Sequence, residues 1–156
     1  MKKLLFFMIL LLSIIGCTQS REPIVDFINP SSVSTPSGYS HSAIIDLGNC
    51  KMVILSGQVP VDNQGNLIGE GDFEKQTEQV FLNIKNVITE AGGTIDNIVN
   101  INIYMTDMSQ IQKFRDIRSK FVNPENPPSA TLVQVSSLYR SEVMIEIEAI
   151  AIIPKR

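Results

Sequence analysis

Two carboxylates stand two residues apart near the end of the chain, Glu146 and Glu148, inside the run Ile145-Glu146-Ile147-Glu148-Ala149-Ile150. Paired carboxylates are a means of acid–base work. Residues i and i+2 of one strand, however, lie side by side with no evident groove for a sugar, so glycoside hydrolysis finds little support. His41 is the only histidine. As the sole side chain that titrates near neutrality it is a candidate general base or ligand donor, or else a surface histidine at a strand edge. One imidazole and two cysteines, Cys17 and Cys50, make no zinc ligand set. No Gly-rich phosphate loop opens a helix, and no cofactor signature is present.

The elements that must position these groups follow from the punctuation of the chain. Ser42 to Leu47 and Lys51 to Leu55, joined at Gly48-Asn49, read as a β-hairpin. From Phe73 to Ala91 the residues Val80, Phe81, Ile84, Val87, Ile88 and Ala91 form one helical stripe, which Gly92-Gly93 ends. Ile98 to Met105 alternates, with Val99, Ile101, Ile103 and Met105 on one side and Asn100, Asn102 and Tyr104 on the other. Ile111, Phe114, Ile117 and Phe121 predict a second amphipathic helix, stopped by Pro124 and Pro127-Pro128. Strands over Thr131 to Val135 and Val143 to Ile153 close the chain. The order is ββαβαββ, a single-domain α+β plan with two helices on one face of a mixed sheet.

The last strand predicts what each sheet face meets. Val143, Ile145, Ile147, Ala149, Ala151 and Ile153 give one fully apolar side, suited to the helices, while Met144, Glu146, Glu148, Ile150 and Ile152 occupy the other. Three large aliphatic side chains beside two carboxylates make a poor solvated face. The expectation is that other copies of the chain cover it, with the polar residues gathered near a cavity; a merely mixed surface is the alternative.

The N-terminal segment predicts export. Lys2 and Lys3 precede an unbroken apolar run from Leu4 to Leu12 and small residues ahead of Cys17. This reads as a secretory leader over 1–16, too short to span a bilayer, with an uncleaved anchor helix as the alternative. Ile14-Ile15-Gly16-Cys17 looks like a bacterial lipobox, which makes Cys17 the acylated mature N-terminus and the lipid the protein's only link to a membrane. Residues 17–28 then form a tether and 29–156 the folded domain. Without the leader eleven basic residues face sixteen acidic ones, a net charge of −5. A chain of that charge has no basic surface for nucleic acid. Cys50 is left without a disulfide partner, and its place before Met52-Val53-Ile54-Leu55 favours a buried, inert thiol over a reactive one.

Five ordered blocks carry a family resemblance: Gly38-Tyr39-Ser40-His41-Ser42, Leu55-Ser56-Gly57-Gln58-Val59-Pro60, Gly69-Glu70-Gly71-Asp72-Phe73, Tyr104-Met105-Thr106-Asp107-Met108, and Val143 to Ile150. From about Asn29 to its end the chain resembles the RidA (YjgF, or Rid) superfamily of imine/enamine deaminases. The resemblance implies a chorismate-mutase-like homotrimer with a cleft between each pair of subunits. It also implies that Tyr39, Ser56, Gly57 and Gln58 line the cleft for a small polar ligand, although Ser56-Gly57-Gln58 can equally be a strand-ending turn. His41 lies inside the first block.

In active members of this family an arginine on the penultimate strand pairs with the substrate carboxylate, and a glutamate on the last strand positions the attacking water. A guanidinium fork matches a planar carboxylate, and an activated imine needs little beyond orientation and a held water. By resemblance Glu146 takes the glutamate position. The arginine position falls in Pro128-Ser129-Ala130-Thr131-Leu132, where this chain has Ala130 beside Thr131. Losing such a pair costs on the order of 2 to 5 kcal/mol, or about 30-fold to several thousand-fold. Arg140, between the last two strands, and Arg115 and Arg118, on the second helix, are the cations that can replace it, or are solvated surface residues.

Two function classes follow. One is a deaminase-type hydrolase acting on a small molecule in the clefts with Glu146 holding water. The other is a non-catalytic envelope trimer that binds a small metabolite or a protein partner. Export and Ala130 favour the second, whereas a glutamate retained at a covered face, costly without a use, favours the first.

Overall fold

A computed structural model describes residues 24–155. The leader, Cys17 and most of the tether fall outside the described residues. Six strands, β1 (Val25–Ile28), β2 (Ser42–Asp46), β3 (Cys50–Gln58), β4 (Ile98–Met105), β5 (Ser129–Gln134) and β6 (Ile145–Pro154), make one sheet in the order β1-β2-β3-β6-β4-β5. Its pairs are antiparallel except β4 with β5, so the sheet is mixed. Two helices, α1 (Phe73–Glu90) and α2 (Ile111–Arg118), pack on one face. The ββαβαββ plan holds with one strand added in front. Val25–Ile28, which the sequence reading placed in the tether, pairs with β2; four residues are too few for a period to show.

Each helix is cut out by local chemistry. The Asp72 carboxylate caps α1 by accepting from the Lys75 backbone N–H at 3.1 Å. Beyond the C-cap Ala91, Gly92 takes φ +88°, a conformation in which a side chain would strain the backbone. The buried side of α1 carries Val80, Phe81, Ile84, Val87 and Ile88. Phe81 stacks against Phe121 and Phe114 at centroid separations of 5.1 and 6.3 Å, which ties α2 to α1.

The inward side of β6 is as predicted: Ile145, Ile147, Ala149, Ala151 and Ile153 are all buried. In β4 one expectation fails. Val99 is 45% exposed and Ile98 is buried in its place. A register irregularity between Ile98 and Asn100 inserts a residue, and a period-2 pattern cannot survive an insertion. Cys50 is half-buried rather than buried.

Among the described residues nothing covers the other face of the sheet. Phe27, Ile54 and Val133 stand 62%, 40% and 40% exposed there, with half-buried Ile150 and Ile152 among them. The registers put Phe27, Ala43, Ile54 and Ile150 in one row across four strands.

Candidate functional site

A β-bulge builds the site. Leu55 pairs with Ala149 and Gln58 with Ile147, so three residues of β3 advance against two of β6. The extra residue turns Ser56 and Gly57 toward the uncovered face and sends Gln58 back into the core. Ser56-Gly57-Gln58 is thus neither a turn nor a uniform cleft lining. Ser56 and Gly57 border a cavity of about 590 Å³ together with Tyr39, Tyr139, Arg140 and Glu146, while residues Ser34, Thr35 and Ser37 wall its other side.

Glu146 lies against Gly57. A Cβ at position 57 would come 2.7 Å from Glu146 Cδ and nearer still to its Oε1, so only glycine leaves the carboxyl where it is. Burial, and secondarily the charge of Glu148, hold the Glu146 carboxyl above its ordinary pKa. Among the described residues neither a salt bridge nor a hydrogen bond reaches its oxygens. A carboxyl so placed can take a proton from a water molecule and return it. Tyr39 at the rim is raised as well, by burial first and then by Tyr139 and Glu146.

Glu148, two residues on, is held differently. It accepts from the Tyr104 hydroxyl at 3.1 Å and from Asn102 Nδ2 at 3.5 Å, and it opens into a separate cavity of about 450 Å³ with Asn100, Asn102 and Ile54. Burial, then the bond to Glu148, raises the Tyr104 phenol. The two carboxylates therefore serve different cavities, and only Ser56 borders both.

One other expectation needs correcting. His41 is neither a free base nor a surface residue: it is 3% exposed. Its Nε2 lies 2.6 Å from the Ser34 carbonyl oxygen, which can only accept, so Nε2 carries the proton. Gln58 Nε2 donates to the Ser56 carbonyl at 2.9 Å and to His41 Nδ1 at 3.3 Å, which occupies the other nitrogen. Both residues sit beneath the cavity and pin its Ser34 wall to the bulge. Ala130 and Thr131 do not reach Glu146 within the chain. They lie on β5, and β4 stands between that strand and β6. Ala130, in register with Ile101, is on the helix side; Thr131, in register with Asn102, is on the uncovered side.

Arg140 is the cation that the fold delivers to the cavity, and neither Arg115 nor Arg118 borders it. Arg118 instead lies over the Phe114 ring at 5.9 Å.

The sequence reading missed the amides that hold these walls. Gln76 on α1, fully buried, donates to the carbonyls of Gly69 (3.1 Å) and Glu142 (2.8 Å) and accepts from the Met144 N–H (2.8 Å). Asn83 donates to the carbonyls of Val59 and Val61 at 3.0 and 2.9 Å, and both valines border the cavity. The one faint signal for Gln76 and Asn83 was their helical spacing, which puts both on the apolar stripe of Phe73, Val80, Ile84 and Val87.

Comparison with known proteins gives a consistent set of relatives. The family described as Endoribonuclease L-PSP matches residues 30–153. A RutC family protein of Pyrococcus abyssi is 34% identical over 111 residues, 71% of this chain and 84% of the relative. Protein HMF1 of Saccharomyces cerevisiae is 32% identical over 121 residues, 78% of this chain and 88% of the relative. Among solved structures, RidA from the Antarctic bacterium Psychrobacter has a TM-score of 0.72 at 30% identity, covering 82% of this chain and 99% of its own. Escherichia coli TdcF with bound serine has a TM-score of 0.70 at 27% identity, covering 81% and 98%.

Proposed function

Because the chain belongs to the Endoribonuclease L-PSP family, the RidA/YjgF/RutC group, we propose that its Glu146 cavity hydrolyses a small imine or enamine. The observation that carries this reading is the Glu146 carboxyl, half-buried on the Gly57 floor, raised in pKa and left unpaired at a cavity wall. In the reaction Glu146 takes a proton from water as the water oxygen bonds to the imine carbon. The proton passes to the nitrogen to complete a carbinolamine, whose hydroxyl proton is then carried by the same carboxylate to the nitrogen as the C–N bond breaks, so that ammonia leaves and a carbonyl product remains. Water is the only co-reactant, and no electrons change hands.

The assembly proposed is the homotrimer. Supporting it is the uncovered sheet face with Phe27, Ile54, Val133 and their neighbours, too apolar to face water. In such a trimer β5 of one copy, with Ala130 and Thr131, borders the Glu146 cavity of the next. Light scattering is expected to give three times the chain mass, and a monomer would remove the basis for a shared cleft. We also propose, from the sequence around Cys17, export and lipid anchoring at the bacterial cell envelope. Wild type should incorporate radiolabelled palmitate and Cys17→Ala should not; equal labelling would refute the anchor.

A second reading, ligand binding without turnover, is favoured by Ala130 at the position of the family arginine. Deamination of freshly generated 2-iminobutanoate separates the two, and wild-type turnover is the expected result. A silent wild type whose Ala130→Arg variant gains activity would mean an intact cleft turned to binding.

A further inference from the structure

The cavity holds two opposite charges that do not neutralise each other. Arg140 and Glu146 both border it, and no salt bridge joins them. Among the described residues Arg140 joins no salt bridge. Its guanidinium lies over the Tyr139 ring, 5.1 Å from the centroid, and Glu142 feels its charge only as the smallest of several influences. A guanidinium stacked on an aromatic face keeps its in-plane N–H donors free and loses part of its rotamer freedom in advance. The loop that carries it is fixed at its far end, where Gln76 holds Glu142 and Met144. A guanidinium and a carboxyl that line one cavity without a salt bridge between them suit a ligand that is anionic at one end and electrophilic or cationic at the other.

We infer that Arg140 is the carboxylate-binding residue of this cavity, so that the ligand is a small 2-imino acid, or its 2-oxo product, with its carboxylate on the guanidinium and its reacting carbon toward Glu146. The inference deepens the hydrolase reading and rests on it for the reaction, but the recognition step is separable. Arg140 enters from the loop before β6, whereas Ala130 lies on β5. The chain therefore meets the carboxylate from a different element than the family resemblance implies. Arg140 is a specificity-determining residue here, and Tyr139 positions it.

Binding of two non-reacting probes to the full chain in detergent tests this. 2-Oxobutanoate carries the carboxylate; 2-oxobutanamide has the same shape without the charge. Ligand-observed NMR titration is expected to show wild type preferring the acid by about tenfold or more, the low end for a charge-assisted pair at an open cavity. Arg140→Ala should abolish the preference, Arg140→Lys should keep part of it through charge without the bidentate fork, and Arg118→Ala, outside the cavity, should leave it intact. A preference that survives in Arg140→Ala, or a wild type that treats acid and amide alike, overturns the assignment. An acid preference that depends on Arg140 in a protein that never hydrolyses 2-iminobutanoate would sustain the assignment and sink the hydrolase reading alone.

Discussion

Gly57→Ala is expected to give a folded protein that has lost about 10²- to 10⁴-fold of the imine-hydrolysing rate proposed for wild type, the amount that removal of a general base costs. Folding should survive, since Gly57 has no left-handed φ and the atoms its Cβ would strike are the end of one flexible side chain, Glu146 Oε1, Cδ and Cγ. Relief is achieved by swinging that carboxyl away, which displaces the base and leaves the sheet intact. Glu146→Gln should lose as much rate by keeping the shape and removing the base. Measuring kcat together with circular dichroism checks the pair. A Gly57→Ala protein as active as wild type would show that the carboxyl's seat against the bulge is irrelevant, whereas an unfolded one would assign the glycine to stability.

Gln76→Met is expected to lower stability by about 2 to 4 kcal/mol although methionine nearly matches glutamine in volume. The carbonyls of Gly69 and Glu142 and the N–H of Met144 all lose their partner at once, and leaving buried polar groups unsatisfied costs about 1 to 3 kcal/mol each before relaxation. For a chain of this size that is a fall in Tm of roughly 5 to 15 °C. Thermal unfolding followed by circular dichroism is the measurement. If Gln76→Met unfolds with wild type while Gln76→Ala does not, the residue fills space and its hydrogen bonds contribute little. Loosening of the loop over 140–144 should also weaken the acid preference attributed to Arg140, since that loop carries the guanidinium to the cavity.

The family label names a nuclease, yet the polar groups at the cavity are a carboxyl, two phenols, hydroxyls and one guanidinium, set beside Val59 and Val61. With a formal charge of −3 on the whole chain, no excess of cations exists to follow a phosphate backbone. Chemistry on a small polar molecule fits these walls better.

Periodicity by itself determined the fold class. The stripe of Val80, Phe81, Ile84, Val87 and Ile88 and the alternation through Ile145, Ile147, Ala149 and Ala151 record where water is excluded, and that demand is written residue by residue. The same alternation left Glu146 on the uncovered face, and the motif blocks named Tyr39, Ser56 and Gly57, all of which border the cavity. What the sequence did not reveal comes from shifts of register and from meetings at long range. The insertion at Gly57 turns Gln58 inward and commits His41 to Ser34, and the irregularity at Val99 moves that side chain out; an inserted residue reverses a period-2 pattern without altering composition. The neighbours of Arg140 were hidden for a second reason. Its loop meets Tyr39 and Gly57 only because β6 lies beside β3 in the sheet, a pairing of residues about ninety positions apart that no local pattern encodes. Tertiary structure alone therefore decided which cation faces the cavity, since proximity across strands is set by the packing of the whole core.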